Sequence, residues 1–322
     1  MSRSIPLALI GLWLLAAPAP AQTDYPSKPV RIVVPSTPGG GTDTFARIVA
    51  QHLQAALGQP FVIDNRPGGG TLIGMDAVAH APPDGYTLYM SPSTTTTMHI
   101  VRKSMPYEVR TAFAPVTQVV VLPQALIIHP SVPAKTMQEF IALAKGAPGK
   151  LTYGSAGSGT APHMSMELLK SMAGLDIQHI PYRGVSQALT DVLGGRISGM
   201  ILNVLTSKPS VDAGLLRALG VTGLTRSEAM PTVPSIAESG VPKYESLQWF
   251  GVLAPAGTPA SVVNLLQSKI AEGLRAPEMK ARLANDGAEG VGNTPTEFAA
   301  LINGEIEKWT AVAKAAHIQP EE

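Results

Sequence analysis

Short apolar runs alternate along this chain with longer stretches whose apolar positions recur every three or four residues. Val30 to Val34 is such a run and reads as a strand. After the turn Pro35 to Thr42, Phe45, Ile48, Val49, Leu53, Ala56 and Leu57 return at helical spacing, and Gly58 stands where a C-terminal cap belongs. Phe61 to Ile63 predicts a second strand, Arg66 to Gly70 a tight loop, and the residues through Met75 and Val78 a helix. Tyr86 to Met90 predicts a strand that runs into the polar stretch Ser91 to Thr97. Two further apolar runs, Val116 to Val121 and Ala125 to Ile128, flank Leu122-Pro123. Thr136 and Glu139 have the spacing of a capping box, and the helix they open stops at Gly146 to Gly149.

The strand Leu151 to Tyr153, the small-residue loop Gly154 to Thr160 and the helix Met164 to Met172 repeat the strand–loop–helix unit of residues 30–57. Strand and helix patterns continue through Ile177 to Ile180, Ala188 to Leu193, Gly199 to Leu202 and Leu216 to Val221. Helices open at Thr258-Pro259 and at Thr294-Pro295, the latter with Glu297 completing a second capping box. This alternation argues for an α/β fold with mostly parallel sheets. The length suggests two compact domains. The chain is read as crossing between two lobes at Leu122-Pro123 and again within Ser246 to Leu253. One lobe then comprises 22–122 plus 247–322, the last helix being the least certain member, and the other 123–246.

The first residues change the picture of the compartment. Arg3, the apolar run Ile5 to Ala17 and Ala19-Pro20-Ala21 have the anatomy of an export signal over 1–21. The run is shorter than the roughly 20 apolar residues of a bilayer crossing. The expected mature chain starts at Gln22 and has no cysteine for a disulfide or a lipid anchor, so a free periplasmic protein is expected. The 24 basic and 23 acidic residues of the full sequence nearly balance, and balance fully once Arg3 leaves with the leader, which excludes the basic footprint of a nucleic-acid binder. The 7 histidines are scattered, with no metal-ligand spacing, so neither metal nor cofactor is expected.

Candidate chemistry concentrates in two loops. Ser36 and Thr37 with Gly39-Gly40-Gly41-Thr42-Asp43 precede one helix, and Ser155-Ala156-Gly157-Ser158-Gly159-Thr160 precedes another. Glycines let backbone approach a ligand, and a helix N-terminus offers unpaired N–H groups and a positive dipole end, which suits an anion. Ordinary tight turns would look the same. No lysine follows at phosphate-loop spacing, and the third glycine of a dinucleotide fingerprint is missing. His163 stands beside the second loop, as a ligand contact or a packing residue. Arg183 can grip a carboxylate bidentately or sit solvated at a strand end. Ser91, Ser93 and Asn203 follow strands and are further candidates. Asp43 can cap its helix or meet a ligand. A serine hydrolase using Ser155 or Ser158 with His163 as base lacks an identifiable acidic orienter.

Several motifs in fixed order then carry a resemblance. Tyr25-Pro26-Ser27-Lys28-Pro29 leading into the first strand, Pro38-Gly39-Gly40-Gly41-Thr42-Asp43, Asp64-Asn65-Arg66-Pro67-Gly68 and Ala81-Pro82-Pro83-Asp84-Gly85-Tyr86 are the first four. Gly154 to Thr160 with His163, Pro181-Tyr182-Arg183-Gly184 and Ala254-Pro255-Ala256-Gly257-Thr258-Pro259 complete the set. Together they resemble the receptors of tripartite tricarboxylate transporters, or Bug proteins, over the whole mature chain. The resemblance implies a two-lobed Venus-flytrap fold that delivers its ligand to a membrane permease. No enzymatic step is expected, and the protein is expected to be a monomer. It implies carboxylate contact at Thr37 to Asp43 and Ser155 to Thr160, and also at Ser91, Ser93, Arg183 and Asn203. The ligand is expected to be a di- or tricarboxylate, an acidic amino acid or an aromatic carboxylate. A sensor that presents its ligand to a signalling receptor would share every one of these features. One departure stands out: many relatives place an aromatic residue after the first strand's proline, whereas Ser36-Thr37 follows Pro35 here.

Overall fold

The computed structural model describes residues 25–182, 184–285 and 287–320. The leader read over 1–21 and the candidate Arg183 lie outside the described residues. In chain order the elements are β1 (Val30–Val34), α1 (Gly41–Leu57), β2 (Phe61–Asn65), α2 (Leu72–Ala79), β3 (Thr87–Pro92), α3 (Met98–Val101), α4 (Val109–Ala112) and β4 (Phe113–Ile128). Then come α5 (Met137–Gly146), β5 (Thr152–Ser155), α6 (Ala161–Ala173), β6 (Gln178–Pro181), α7 (Val185–Leu193), β7 (Gly199–Asn203), α8 (Val204–Asp212) and β8 (Arg217–Val221). The chain closes with β9 (Leu247–Pro255), α9 (Ala260–Arg275), α10 (Pro277–Asn285), β10 (Glu289–Gly290) and α11 (Pro295–Ala315).

The two apolar runs beside Leu122-Pro123 are one 16-residue strand, β4. Its first part, Phe113 to Pro123, pairs with β9 in a sheet ordered β2-β1-β3-β9-β4-β10. Its last part, Gln124 to Ile128, lies between β8 and β7 in a second sheet that continues through β5 to β6. The sheets are mixed rather than mostly parallel. β1 runs parallel to β2 and β3, and β5 to β6 and β7, but every pairing made by β4 or β9 is antiparallel. The sheet-crossing strand β4 and its partner β9 run against their neighbours, and the strand–helix alternation carries no sign of that. β9 lies wholly in the first sheet, so the return passage is Glu245-Ser246, where the Ser246 N–H donates to the Thr222 carbonyl at 2.9 Å.

Period-two alternation sends side chains to both faces of each sheet. Ile32 and Val34 join α1 and α9 in one core cluster, while Val33 joins Tyr89, Met75 and α11 in another. In the second sheet Leu126 and Ile128 pack with α5 and α6, and Ala125 and Ile127 with the α7–α8 side. The last helix belongs to both units. Phe298, Ile302 and Ile306 sit in the first sheet's core, whereas Trp309, Val312 and Ala313 sit in the core that holds α6. The Thr294 box forms as expected, with Glu297 Oε2 accepting from Thr294 N at 2.8 Å. At α5 only half forms as written: Thr136 accepts from Glu139 N, but the Glu139 carboxylate takes the N–H of Lys135 instead.

Phe298 presses on β9 at Gly251, where a Cβ would stand 2.8 Å from the ring's Cε1 and 3.0 Å from the Thr117 carbonyl. Gly251→Ala is therefore expected to lower unfolding free energy by about 1–3 kcal/mol, the usual cost of overpacking. Urea denaturation measures it, and an unchanged midpoint would show that α11 is free to shift.

Candidate functional site

β1 and β5 deliver the two glycine loops to the carboxyl ends of parallel strands, where α/β folds place ligands. Both loops are built alike. In the first, Gly39 takes φ +85° and donates its N–H to Asp43 Oδ2 at 2.9 Å. In the second, Gly159 takes φ +75° and donates its N–H to His163 Nδ1 at 3.0 Å. Each acceptor is the third residue of the following helix. The backbone thus turns back on the first helical turn in the same way twice. Among the described residues, the N–H groups of Gly41, Thr42 and Asp43 have no acceptor, nor have those of Ala161 and His163.

Asp43 is buried and fully engaged. Its carboxylate accepts from Arg47 Nε at 2.9 Å and Nη2 at 3.1 Å, and from Asn65 Nδ2 at 2.9 Å. Burial pushes its pKa up, but the bonds from Arg47, the Gly39 N–H and Asn65 outweigh this and hold it at about 2. Asn65 also donates to the Ser36 carbonyl at 3.0 Å, so the end of β2 anchors both sides of the loop. Thr37 and Gly39 are exposed, Gly40 is half-buried, and the Ser36 hydroxyl is buried without a partner.

Behind the second loop lies a stacked polar cluster. His163 and His179 stack at 4.2 Å between ring centres, and His179 stacks on Tyr153 at 4.8 Å. Tyr153 donates to Glu167 Oε1 at 2.5 Å, and Lys170 donates to the same oxygen at 2.6 Å. Because Nδ1 of His163 accepts an N–H, its proton resides on Nε2 and the ring is neutral. Burial, with Lys170 nearby, lowers its pKa to about 4. Ser155 is wholly buried and lies 2.7 Å from His179 Nε2, not beside His163. Its hydroxyl also bonds the backbone of Gly157 at both N and O, each at 3.1 Å. Thr160 closes the loop by donating to the Gly157 carbonyl at 2.6 Å. Ala156 and Ser158 are half-buried.

Ser91 is buried and donates to Thr95 at 2.9 Å, inside the turn that follows β3. Ser93 lines a cavity of about 10 Å³ together with Thr97, Gly159, Met164, Ser246 and Trp309. There the two units touch directly, as Thr97 donates across to the Gly159 carbonyl at 2.8 Å. A Cβ on Gly159 would stand 2.7 Å from Val101, so glycine is required for this approach as well as for φ. Asn203 ends β7 opposite Gln124, and its Oδ1 is buried without a partner. Sequence reasoning gave no role to Asn65, Arg47, His179 or Thr97. Asn65 at least stood in a motif; the others carried no signal in the pattern.

The sequence profile of the tripartite tricarboxylate transporter family receptor matches residues 45–318. The chain belongs to this family. The structure of R. palustris Rpa4515 with adipate is 38% identical and covers 92% of this chain and 100% of its own, with a TM-score of 0.83. The periplasmic binding protein BugD is 32% identical, with 92% and 100% covered and a TM-score of 0.78. MatC from Rhodopseudomonas palustris, solved with bound malate, is 29% identical, with 89% and 99% covered and a TM-score of 0.77. The fold is therefore the two-lobed fold of periplasmic solute-binding proteins, and the family comprises receptors rather than enzymes. Among the described residues no helix is long and apolar enough to cross a membrane.

The bond that pins the second loop, from Gly159 to His163, carries a pH signature. In the unfolded chain a histidine takes up its proton near pH 6.5, whereas His163 in the fold stays neutral to about 4. Within that window the unfolded state binds more protons, so the His163 contribution to stability falls as pH drops from 6.5 to 4. Below 4 that contribution is constant, and there Asp43 begins to lose its own. Over the window wild type is expected to lose roughly 3 kcal/mol more than His163→Gln, which cannot titrate. Urea unfolding at several pH values reads the difference; parallel curves for the two proteins would refute a neutral His163.

Proposed function

We propose that this receptor works in the periplasm, closing its two lobes on a small carboxylate and presenting it to a tripartite tricarboxylate-type permease. The lobes are 22–122 plus 247–322 and 123–246, joined where β4 changes sheets and where Glu245-Ser246 returns, with α11 lying along both. The observation that carries the reading is the pair of matched loops, one per lobe, each leaving helix N–H groups without an acceptor. Such groups, with the dipole behind them, bind anions without a lysine. The adipate and malate held by Rpa4515 and MatC support a carboxylate.

Contact comes from Ser36, Thr37 and Gly39 to Thr42 on one side and from Ser155 to Thr160 on the other. Ser91, Ser93 and Asn203 contribute at the margins and Arg183 is a further candidate contact; the unpartnered Ser36 Oγ and Asn203 Oδ1 favour polar contact with the ligand. Asp43 and His163 act from behind, as the groups that shape the loops. Binding needs no cofactor and no covalent step, and the receptor acts as a monomer. A ligand that touches both lobes favours the closed state, and closure is what the permease reads.

Protein freed of carried-over ligand by unfolding and refolding tests this in a thermal-shift series with adipate, malate, citrate, glutamate and benzoate. A ligand at a hundred times its Kd adds about 2.7 kcal/mol to the native state, a shift of several degrees. A refolded, empty protein that responds to none of the five would count against a carboxylate receptor.

A further inference from the structure

Five polar residues, each no more than 2 % exposed, tie both interlobe passages to one position on one helix. Gln124 is the first residue of β4 in the second sheet, and Ser246 is the last residue before β9 in the first. Ser165 is the fifth residue of α6, in the second turn after the loop that holds Gly159. Its hydroxyl donates to Gln124 Oε1 at 3.0 Å and bonds the Ser246 hydroxyl at 2.6 Å. A serine has a single O–H hydrogen, so Ser246 is the donor to Ser165 and the two bonds form one directed chain from passage to passage. Tyr244, just ahead of the return passage, donates to the Ser165 carbonyl at 2.9 Å. Thr222 closes the set: its hydroxyl accepts from Gln124 N at 2.9 Å, its N–H donates to the Gln124 carbonyl at 2.8 Å, and its carbonyl takes the Ser246 N–H.

The chain passes between the sheets twice, once within β4 at Pro123-Gln124 and once at Glu245-Ser246 just ahead of β9. Two such passages define a hinge. Both passages are here fastened to the helix that follows the Ser155–Thr160 loop, which the proposed function sets against the ligand. We infer that Ser165 is a positioning residue that sets the interlobe angle and couples it to occupancy of the Ser155–Thr160 loop. It touches no ligand. It holds α6 against both passages, so that a pull on the loop moves the lobes as rigid bodies about a fixed pivot. The inference rests on the two-lobed receptor reading given above. A buried hydroxyl serving only stability would have no reason to join both passages through the ligand helix.

The chain has no cysteine, so a Gln54→Cys, Lys145→Cys pair gives one exposed label site in each lobe without background. Spin labels on this parent report the interlobe distance distribution without ligand and with adipate or malate. Ser165→Ala in the parent is expected to broaden the ligand-free distribution and to weaken binding about tenfold, the equivalent of one lost buried hydrogen bond. Ser246→Ala breaks the same chain from the other end and is expected to do the same, with the double variant no worse than either single one. A lower melting temperature with an unchanged ligand-free distribution, in whichever variant folds, would overturn the inference. Additive losses in the double variant would do so too. Failure of the carboxylate reading looks different: the parent itself would show no shift with either acid, while the ligand-free comparison still decides the role of Ser165.

Discussion

Strand β4 satisfies its backbone in two sheets at once, and most of the molecule follows from that. Up to Pro123 its partner is β9; from Gln124 it lies between β7 and β8. Buried backbone groups need partners, and a strand of this length cannot find them in one small sheet without leaving the other unpaired. The two sheets are therefore not free bodies joined by a linker. They share a hydrogen-bonded rib, and its partners change over one short segment. Pro123 suits that segment, because it has no N–H to lose when the strand passes from one ladder to the next. The last helix adds a second constraint, with Phe298 in one core and Trp309 in the other.

Given that frame, the position of the two glycine loops is determined. Each follows a strand that runs parallel to its neighbours, and each is pinned by a side chain four residues on from the donating glycine. The same bond is made by an aspartate in one unit and a histidine in the other. Geometry, rather than residue type, is therefore what the two halves have in common. A loop so pinned cannot fold back to satisfy the helix N–H groups itself, which keeps those groups available. Pinning reduces the ordering that a ligand would otherwise have to impose, and so favours affinity.

The parts of this arrangement that show in the sequence are those with a periodic or compositional signal. The glycine loops, the Thr294 box and the Val30 to Leu57 unit announce themselves through spacing. The antiparallel pairing of β4 and β9 does not, because an apolar run reads the same whichever way its neighbour points. Asp43 was legible as a helix-capping acid, but not as the centre of a network reaching Asn65 on another strand. His163 was visible as a neighbour of its loop, while its acceptor role depends on a ring orientation fixed by the stack with His179. Ser165 is one hydroxyl in a helix of ordinary composition. Its meaning comes from Gln124 and Ser246, which lie 41 and 81 residues away.

Electrostatics brings the two clamps into line with an anionic ligand. An unpaired aspartate beside an anion would repel it, most strongly where water is excluded. Asp43 avoids this because Arg47 forks its carboxylate through two nitrogens, so the pair presents little net charge. His163 reaches the same end differently: burial keeps its ring neutral, so it supplies an acceptor without a charge. Neither Asp43 nor His163 therefore adds a fixed charge beside its loop, and the loops themselves offer an anion only backbone N–H groups and helix dipoles. Dipolar donors attract more weakly than a lysine, and they need no counter-ion when the site is empty. Under the proposed function that weaker grip suits release, since a ligand held this way depends on both lobes together and lets go when they part.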